Sequence, residues 1–169
     1  FARLALANAL LILVPRHPQR FDEVAALAGA RGLTLKRRSL EEFPDAGTQV
    51  WLGDSMGEMA SYYAAADLAL IGGSLLPFGG QNLIEAAACG CPVIVGPHTF
   101  NFAQAADDAV ACGAARRIGD IGELAGAVTE ILARPELRIN MKEKALAFSR
   151  AHQGATARTM TLLETLGGR

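Results

Sequence analysis

The residues best suited to chemistry lie within one stretch, positions 72–97, which reads GGSLLPFGGQNLIEAAACGCPVIVGP. Two glycine pairs, Gly72-Gly73 and Gly79-Gly80, precede an Asn-x-x-Glu sequence that opens an alanine-rich helix. Glycines let backbone N–H groups approach a ligand closely, and a helix N-terminus adds unpaired donors and partial positive charge. The stretch therefore predicts a phosphate site with a carboxylate one turn into the helix, as a nucleotide ligand requires.

Asn82 and Glu85 have two compatible interpretations. Asn is a favoured N-cap, and a Glu three residues later resembles a capping box. The carboxylate could also accept hydrogen bonds from both hydroxyls of a ribose while the helix N-terminus holds the phosphate. The pair Gly79-Gly80 favours a ligand, because a simple cap needs no preceding glycines. Gly73 and Ser74 form either a tight turn or a ligand-facing loop, and the second glycine pair favours the loop.

Two other segments carry candidate ligand contacts. Arg16 lies between Pro15 and His17-Pro18, directly after an apolar run. A stiffened arginine at a strand end suits phosphate or base recognition, although a solvated turn residue is the alternative. The sequence GDSMGE at 53–58 is typical of a turn into a helix, with Asp54 or Ser55 as an ordinary cap.

In that turn, Met56 and Gly57 could line a pocket for a flat base. Early carboxylates such as Glu58 suit the dipole at a helix start, so the residues alone favour a structural role. His98, after the next strand, is a possible substrate contact.

Apolar runs of four or five residues alternate with amphipathic stretches, which predicts βαβ units around a parallel sheet. The fold class is α/β: one doubly wound, Rossmann-like domain with helices on both faces, spanning 1–169. Ligands of such sheets collect beyond the carboxyl ends of the strands, where loops 15–18, 53–58 and 72–85 converge. The predicted strands are 10–14, 34–37, 49–52, 68–71, 93–95 and 114–117, and the predicted helices are 21–30, 56–65, 82–89, 101–111, 121–133, 135–152 and 156–166.

Composition excludes several classes of protein. The chain has 169 residues, 51% of them apolar, and a formal net charge of −1, which argues against a nucleic-acid binder. The basic runs at 36–38 and 116–117 are interpreted as solvated strand ends. No apolar run approaches the roughly 18 residues of a membrane helix. Three cysteines without metal-ligand spacing indicate reduced structural thiols in a cytosolic compartment, and no metal site is expected.

Four ordered motifs carry a family resemblance: VPRHP at 14–18, GDSMGE at 53–58, GGS…GGQNLIEAA at 72–87 and PVIVGPHTFNF at 92–102. Together they resemble the carboxyl-terminal domain of 3-deoxy-D-manno-octulosonic acid (Kdo) transferases, over nearly the whole chain from Leu11 onward. The resemblance implies the donor-binding half of a GT-B glycosyltransferase, a fold of two Rossmann-like domains with the active site between them.

The resemblance also implies the ligand, CMP-Kdo, and its contacts. Glu85 is expected to hold the ribose hydroxyls, in agreement with the interpretation from the residues alone. Residues 56–58 match a second CMP-contacting motif of the family, which overturns their structural interpretation. One position departs from the family, where His is common in place of Gln81; Gln can donate a hydrogen bond but cannot become cationic near neutral pH. The expected CMP-binding residues are Pro15, Arg16, Met56, Gly57, Glu58, Gly73, Ser74, Gly79, Gly80, Asn82, Leu83, Ile84 and Glu85.

The implied reaction is an inverting, metal-independent transfer of Kdo to lipid A precursor in lipopolysaccharide biosynthesis, with CMP-Kdo as co-substrate and no cofactor. The catalytic base, the acceptor site and the membrane anchor are expected in an amino-terminal domain at the cytoplasmic face of the inner membrane. We therefore expect no catalytic residue in this chain, an inactive fragment, and a first strand that precedes Phe1. The alternatives are a GT-B transferase or epimerase using a UDP-sugar, and a non-catalytic nucleotide-binding module.

Overall fold

Short strands alternate with helices along the chain. The computed structural model describes Phe1 and residues 9–152. Short 3-10 turns precede α1, follow β2 and precede α4. The strands are β1 (Leu11–Leu13), β2 (Leu35–Arg37), β3 (Val50–Leu52), β4 (Ala69–Leu70), β5 (Val93–Val95) and β6 (Ala115–Arg117), and the helices are α1 (Phe21–Ala30), α2 (Met59–Ala65), α3 (Leu83–Ala88), α4 (Ala103–Cys112), α5 (Ile121–Ala133) and α6 (Pro135–His152).

All strand pairs are parallel, which confirms the α/β class, but the strands form two sheets of three, ordered β1-β3-β2 and β4-β5-β6. One continuous sheet was expected. Four strands, β1, β2, β4 and β6, are edge strands that pair on one side only. β4 is two residues long, and its hydrogen bonds go to the β5 side: Ala69 N donates to Pro92 O at 2.9 Å and Ile71 N to Ile94 O at 3.0 Å.

Helices cover both faces of the second sheet. Val93 and Val95 of β5 belong to one buried cluster with residues of α3, α4 and α6. Ile94 belongs to another, with Ile118, Ile131 of α5 and Met141 of α6. Because successive strand side chains point to opposite faces, β5 is buried from both sides, as a doubly wound sheet requires.

In the first sheet, β3 is the central strand and supplies the buried residues Val50 and Leu52. Trp51, between them, points to the other face and meets Tyr62 of α2 edge-on, with ring centroids 5.7 Å apart. Helix α1 packs on β2 and β3. The strand whose carboxyl end carries the GDSMGE turn is therefore held on both faces.

Local capping signals predicted several helix ends correctly. Asp120 caps α5 by accepting hydrogen bonds from the N–H groups of Gly122 and Glu123, and Gly113 ends α4 in the left-handed conformation. The bounds of α1, α5 and α6 agree with those predicted. The predicted helix 156–166 lies outside the described residues.

The start of α2 was predicted wrongly, at Met56 instead of Met59. Gly57 has φ +79°, a conformation that cannot continue a right-handed helix. Asp54 is not a cap; its carboxylate accepts hydrogen bonds from Arg37 Nε at 2.6 Å and from Ser39 N at 2.8 Å.

The basic run at 36–38 is not a freely solvated strand end, whereas the run at 116–117 is paired but stays partly exposed. Lys36, Arg37 and Arg38 each pair with a carboxylate, and their side chains keep at most about a third of their surface exposed. In the second sheet Arg116 pairs with Glu130 and Arg117 with Asp107. These arginines join β2 and β6 to neighbouring elements.

Cys89 and Cys91, at the exit of α3, lie against the α2 region, where their thiols approach the carbonyls of Ala60 and Ala66. Burial raises the pKa of Cys91 to about 12, so this thiol is inert near neutral pH. Cys112 is free and exposed. Among the described residues, none of the helices has the length and apolarity to cross a bilayer.

Candidate functional site

The three predicted loops follow β1, β3 and β4 at the same edge of parallel sheets. The first and third are in direct contact, because Arg16 Nη1 donates to Gln81 Oε1 at 2.9 Å. The two residues are 65 positions apart and belong to loops of different sheets. The structure thus brings the VPRHP motif against the glycine-rich loop at the position just before Asn82.

The glycine-rich loop, residues 72–81, closes on itself. Gly80 N donates to Gly73 O at 3.1 Å and Gln81 N donates to Gly72 O at 3.0 Å. Gly73, Gly79 and Gly80 have φ values of +73°, +85° and +75°. Other residues adopt this conformation only with strain, so glycine is required by the shape of the loop.

A second loop, residues 96–102, supports the first. Asn101 N donates to Gly79 O at 3.1 Å, and the Asn101 amide donates to Phe78 O at 3.1 Å. A Cβ atom on Gly79 would lie 2.5 Å from the Phe100 ring, so the two loops are in close contact. Sequence reasoning assigned no role to Asn101, although the motif that contains it was noted.

Ser74 supports the loop from inside. Its side chain is fully buried; the hydroxyl donates to Ile71 O at 2.6 Å and accepts from Gly96 N at 2.8 Å. A Cβ atom on Gly96 would lie 2.6 Å from the Ser74 carbonyl carbon, so only glycine fits there. The Ser74 hydroxyl therefore joins the loop to the end of β5, and Gly96, which sequence reasoning missed, makes that contact possible.

Asn82 is the N-cap of α3. Its Oδ1 accepts from Ile84 N at 3.0 Å, and its Nδ2 donates to Glu85 Oε1, also at 3.0 Å. This confirms the cap, and Glu85 stays exposed in the first turn. Leu83 is buried in the core and anchors the helix, while Ile84 is half-buried. Asn82 thus both caps the helix and orients the Glu85 carboxylate.

In the turn after β3, Met56 has 69% of its surface exposed, and the positive φ of Gly57 bends the chain. Glu58 accepts from Arg38 Nη2 at 2.8 Å and from the hydroxyl of Ser55. These hydrogen bonds, that from Ser55 foremost, hold the pKa of Glu58 below its usual value. Within the described part of the chain, no hydrogen bond or ion pair joins this turn to the glycine-rich loop.

Arg16 is distinguished by its partner. Within residues 9–152 the Arg16 guanidinium has no carboxylate within ion-pair distance, and it donates a hydrogen bond to a neutral amide. Its positive charge is therefore available to an anion at this edge. Nowhere in the described residues do three or more His, Cys, Asp or Glu side chains come close enough to hold a metal.

The family model for glycosyl transferases group 1 matches residues 13–148, which include every site loop described above. The chain belongs to the glycosyl transferases group 1 family. The prediction of a glycosyltransferase domain is thereby confirmed. The match includes the last residue of β1 and all of β2 to β6, so the family assignment rests on the same elements that position the site.

Relatives within this family agree with the motif resemblance. The chain is 53% identical over 163 residues to 3-deoxy-D-manno-octulosonic acid transferase of Bordetella pertussis, covering 96% of the chain and 38% of that protein. It is 52% identical over 97 residues to the transferase of Haemophilus influenzae, covering 57% and 23%. The chain therefore spans well under half the length of these relatives.

A solved structure, the C-terminal CMP-Kdo binding domain of WaaA from Acinetobacter baumannii, superposes with a TM-score of 0.78 at 36% identity, covering 82% of this chain and 72% of that one. Sucrose-phosphate synthase from Thermosynechococcus elongatus, at 18% identity and TM-score 0.61 over 96% of this chain and 47% of the other, shows the same fold. The resemblance to Kdo transferases is confirmed in both sequence and structure.

Proposed function

We propose that this domain binds CMP-Kdo, as the donor-binding part of an enzyme that transfers Kdo to lipid A precursor. The observation that carries the proposal is the contact between Arg16 and Gln81, which places beside the glycine-rich loop a cation that has no carboxylate partner among residues 9–152. The similarity to a CMP-Kdo binding domain supports the same ligand.

Arg16 would bind the phosphate of the donor. When the bond between the Kdo anomeric carbon and the phosphate oxygen breaks, negative charge accumulates on CMP. A guanidinium stabilises such charge through charge-assisted hydrogen bonds, and the backbone around Gly73, Gly79 and Gly80 permits close approach. This arrangement supplies the stabilisation without assigning a role to a metal.

Glu85 would hold the ribose. Its Oε1 is fixed by Asn82 Nδ2 at 3.0 Å, and the carboxylate is exposed on the first turn of α3. An ionised carboxylate is an acceptor only, so it suits two neighbouring hydroxyls that both donate. Asn82, Leu83 and Ile84 would act by placing that carboxylate.

The turn at Met56 and Gly57 would face the cytosine. Met56 offers an exposed apolar surface to a flat ring, and Gly57 carries no side chain that would block its approach. Glu58 would keep the turn in shape through Ser55 and Arg38. Pro15 would restrict the backbone that carries Arg16.

The groups that bind and activate the acceptor would lie outside this domain. We propose an inverting displacement, in which a hydroxyl of lipid A precursor attacks the anomeric carbon opposite to the departing CMP. The general base, the acceptor site and the association with the inner membrane would belong to the amino-terminal part of the full-length enzyme.

Titration of the 169-residue chain with CMP and UMP, followed by calorimetry or NMR, tests the donor. We expect CMP to bind and to be preferred over UMP. A clear preference for UMP would instead indicate a UDP-sugar enzyme, and binding of neither would reject the nucleotide site.

An assay of Kdo transfer tests the division of roles. We expect no transfer by this chain alone, and transfer by a full-length enzyme carrying the same sequence. Transfer by the chain alone would contradict the placement of the general base outside it. A full-length protein that binds CMP but transfers nothing would favour a non-catalytic binding module.

A further inference from the structure

Gln81 has a place in the site that the motifs do not assign. Its side chain accepts a hydrogen bond from Arg16 at 2.9 Å, and its backbone N–H donates to Gly72 O at 3.0 Å. The second bond is part of the closure of the glycine-rich loop, so the backbone of Gln81 is fixed and its amide reaches the loop of the other sheet.

The chemical type of the contact matters. A carboxylate at the same position would orient Arg16 equally well but would cancel its charge. That is the arrangement at Arg37, which Asp54 and Asp22 hold at 2.6 Å and 2.8 Å. An amide oxygen accepts the same hydrogen bond and carries no net charge. Gln81 therefore orients the guanidinium and leaves it able to attract an anion.

Among the residues that the structure describes, Arg16 has no other side-chain hydrogen bond or ion pair to orient it. The side chain is exposed, and an unrestrained arginine loses considerable rotamer freedom when it binds a ligand. A partner that holds the guanidinium in the bound orientation reduces that loss, which is the general advantage of preorganisation. The contact also joins the loops that follow β1 and β4, whose strands do not pair with each other.

We infer that Gln81 is a positioning residue that holds Arg16 toward the phosphate of the nucleotide without neutralising it. This inference rests on the proposed binding of CMP. It assigns Gln81 a part in phosphate affinity alone, because the amide acts through Arg16 and not on the base or the ribose.

The test compares CMP with cytidine, which lacks the phosphate, on Gln81→Met and Gln81→Glu variants of the 169-residue chain. Gln81→Met keeps the length and loses the acceptor; Gln81→Glu keeps the acceptor and adds a charge. A hydrogen bond to a charged group is worth roughly a factor of ten or more in affinity. We expect Gln81→Glu to weaken CMP at least about tenfold and Gln81→Met to weaken it about three- to tenfold by the same argument.

Cytidine affinity should stay within about twofold in both variants, since the lost interaction concerns the phosphate only. In an Arg16→Met background, Gln81→Met should have no further effect on CMP. Gln104→Met, on the exposed side of α4, is the matched control, and melting temperatures verify folding. Should Gln81→Glu fail to fold, Gln81→Met and the double variant still decide the question.

The outcomes separate two failures. If the unaltered chain binds no CMP, the proposed function itself fails. If it binds CMP but the Gln81 variants leave CMP affinity unchanged, or weaken CMP and cytidine equally, the positioning role is wrong while the proposed function stands. Equal effects of Gln81→Met in the presence and absence of Arg16 would also overturn it.

Discussion

Arg37 ends one strand of the first sheet and Arg16 lies just after another strand of that sheet, yet their side chains are held in different ways. Arg37, the last residue of β2, donates to the carboxylates of Asp54 and Asp22. Arg16, just beyond β1, donates to the amide of Gln81. The first guanidinium is neutralised inside the fold, while the second is oriented by an amide and meets no carboxylate in the part of the chain that the structure describes. The difference indicates which arginine supports the structure and which is available to a ligand.

Asp54 shows that the buried polar groups around Arg37 have hydrogen-bond partners. Burial raises the pKa of Asp54, but hydrogen bonds from Ser39 and Arg37 outweigh that effect and leave the pKa below its usual value. No buried side-chain nitrogen or oxygen among the described residues lacks a hydrogen-bond partner. A buried carboxylate with all its partners costs little, whereas removing one member of such a group is expensive.

The largest effect is expected from breaking the Arg37 region. Asp54→Asn should lower the free energy of unfolding by about 3 kcal/mol, because it removes the buried carboxylate that Arg37 and Ser39 require. Urea denaturation measures the change. Asp107→Asn, which breaks the exposed pair with Arg117, is the control and should cost less than about 1 kcal/mol. Equal losses in both variants would show that burial does not distinguish the two pairs.

Removal of Arg16 should have the opposite effects: a lower affinity for CMP and almost unchanged stability. Arg16→Met should weaken CMP by about 2 kcal/mol, the value of a charge-assisted hydrogen bond, and change stability by less than about 0.5 kcal/mol. Calorimetric titration and thermal melting measure the two quantities. Arg20→Met, whose guanidinium pairs with Glu23 on the surface, should leave CMP affinity unchanged. A large loss of stability in Arg16→Met would remove the contrast with Arg37.

A smaller effect is expected at the ribose. Glu85→Gln keeps an acceptor for Asn82 but removes the charge, so it should weaken CMP by about 1 kcal/mol. The affinity for deoxy-CMP, which lacks one ribose hydroxyl, should change less. The ratio of CMP affinity to deoxy-CMP affinity should therefore decrease. Titration with both nucleotides measures this, and an unchanged preference would place the ribose away from Glu85.

The smallest effect is expected on the stability of the fold at low pH. Asp45 has a pKa lowered to about 2 by Lys36 and by hydrogen bonds from Gly47 and Thr48, and the pKa of Asp54 is also lowered. Groups with depressed pKa stabilise the fold fully above their unfolded pKa, near 4, and lose this contribution as pH falls through the folded pKa.

The free energy of unfolding should therefore be flat above about pH 5 and fall between about pH 4 and pH 2. Asp54→Asn should reduce that slope, because it removes one of the groups that take up a proton on unfolding. Denaturation curves at several pH values test this, and an identical slope in the variant would contradict it.

Elements with local signals were predictable. Asp120 and Gly113 act through neighbours within three or four residues, so they could be read in sequence, and β5 followed from a short apolar run. The cap at Asn82 was predictable for the same reason. The start of α2 was not, because Asp54 takes partners from β2 and its following turn in place of the adjacent N–H groups.

The site was predictable only in part. The glycine pairs and the Asn-x-x-Glu turn marked the right loop, but the buried role of Ser74 depends on Gly96, 22 positions later. Asn101 likewise acts on carbonyls more than 20 positions earlier. A hydroxyl or an amide has no sequence signature that names a distant partner, so these supporting contacts emerge only from the packing of the loops.

By itself the sequence determined the alternation of strands and helices, the positions of the glycines and the family motifs, since all of these depend on residue type and short spacing. The tertiary structure decided which charges remain free. Lys36, Arg37 and Arg38 are basic residues like Arg16, but folding places carboxylates against them and an amide against Arg16. Electrostatic partners are chosen by distance in space, and that distance is set only when the two sheets and their loops come together.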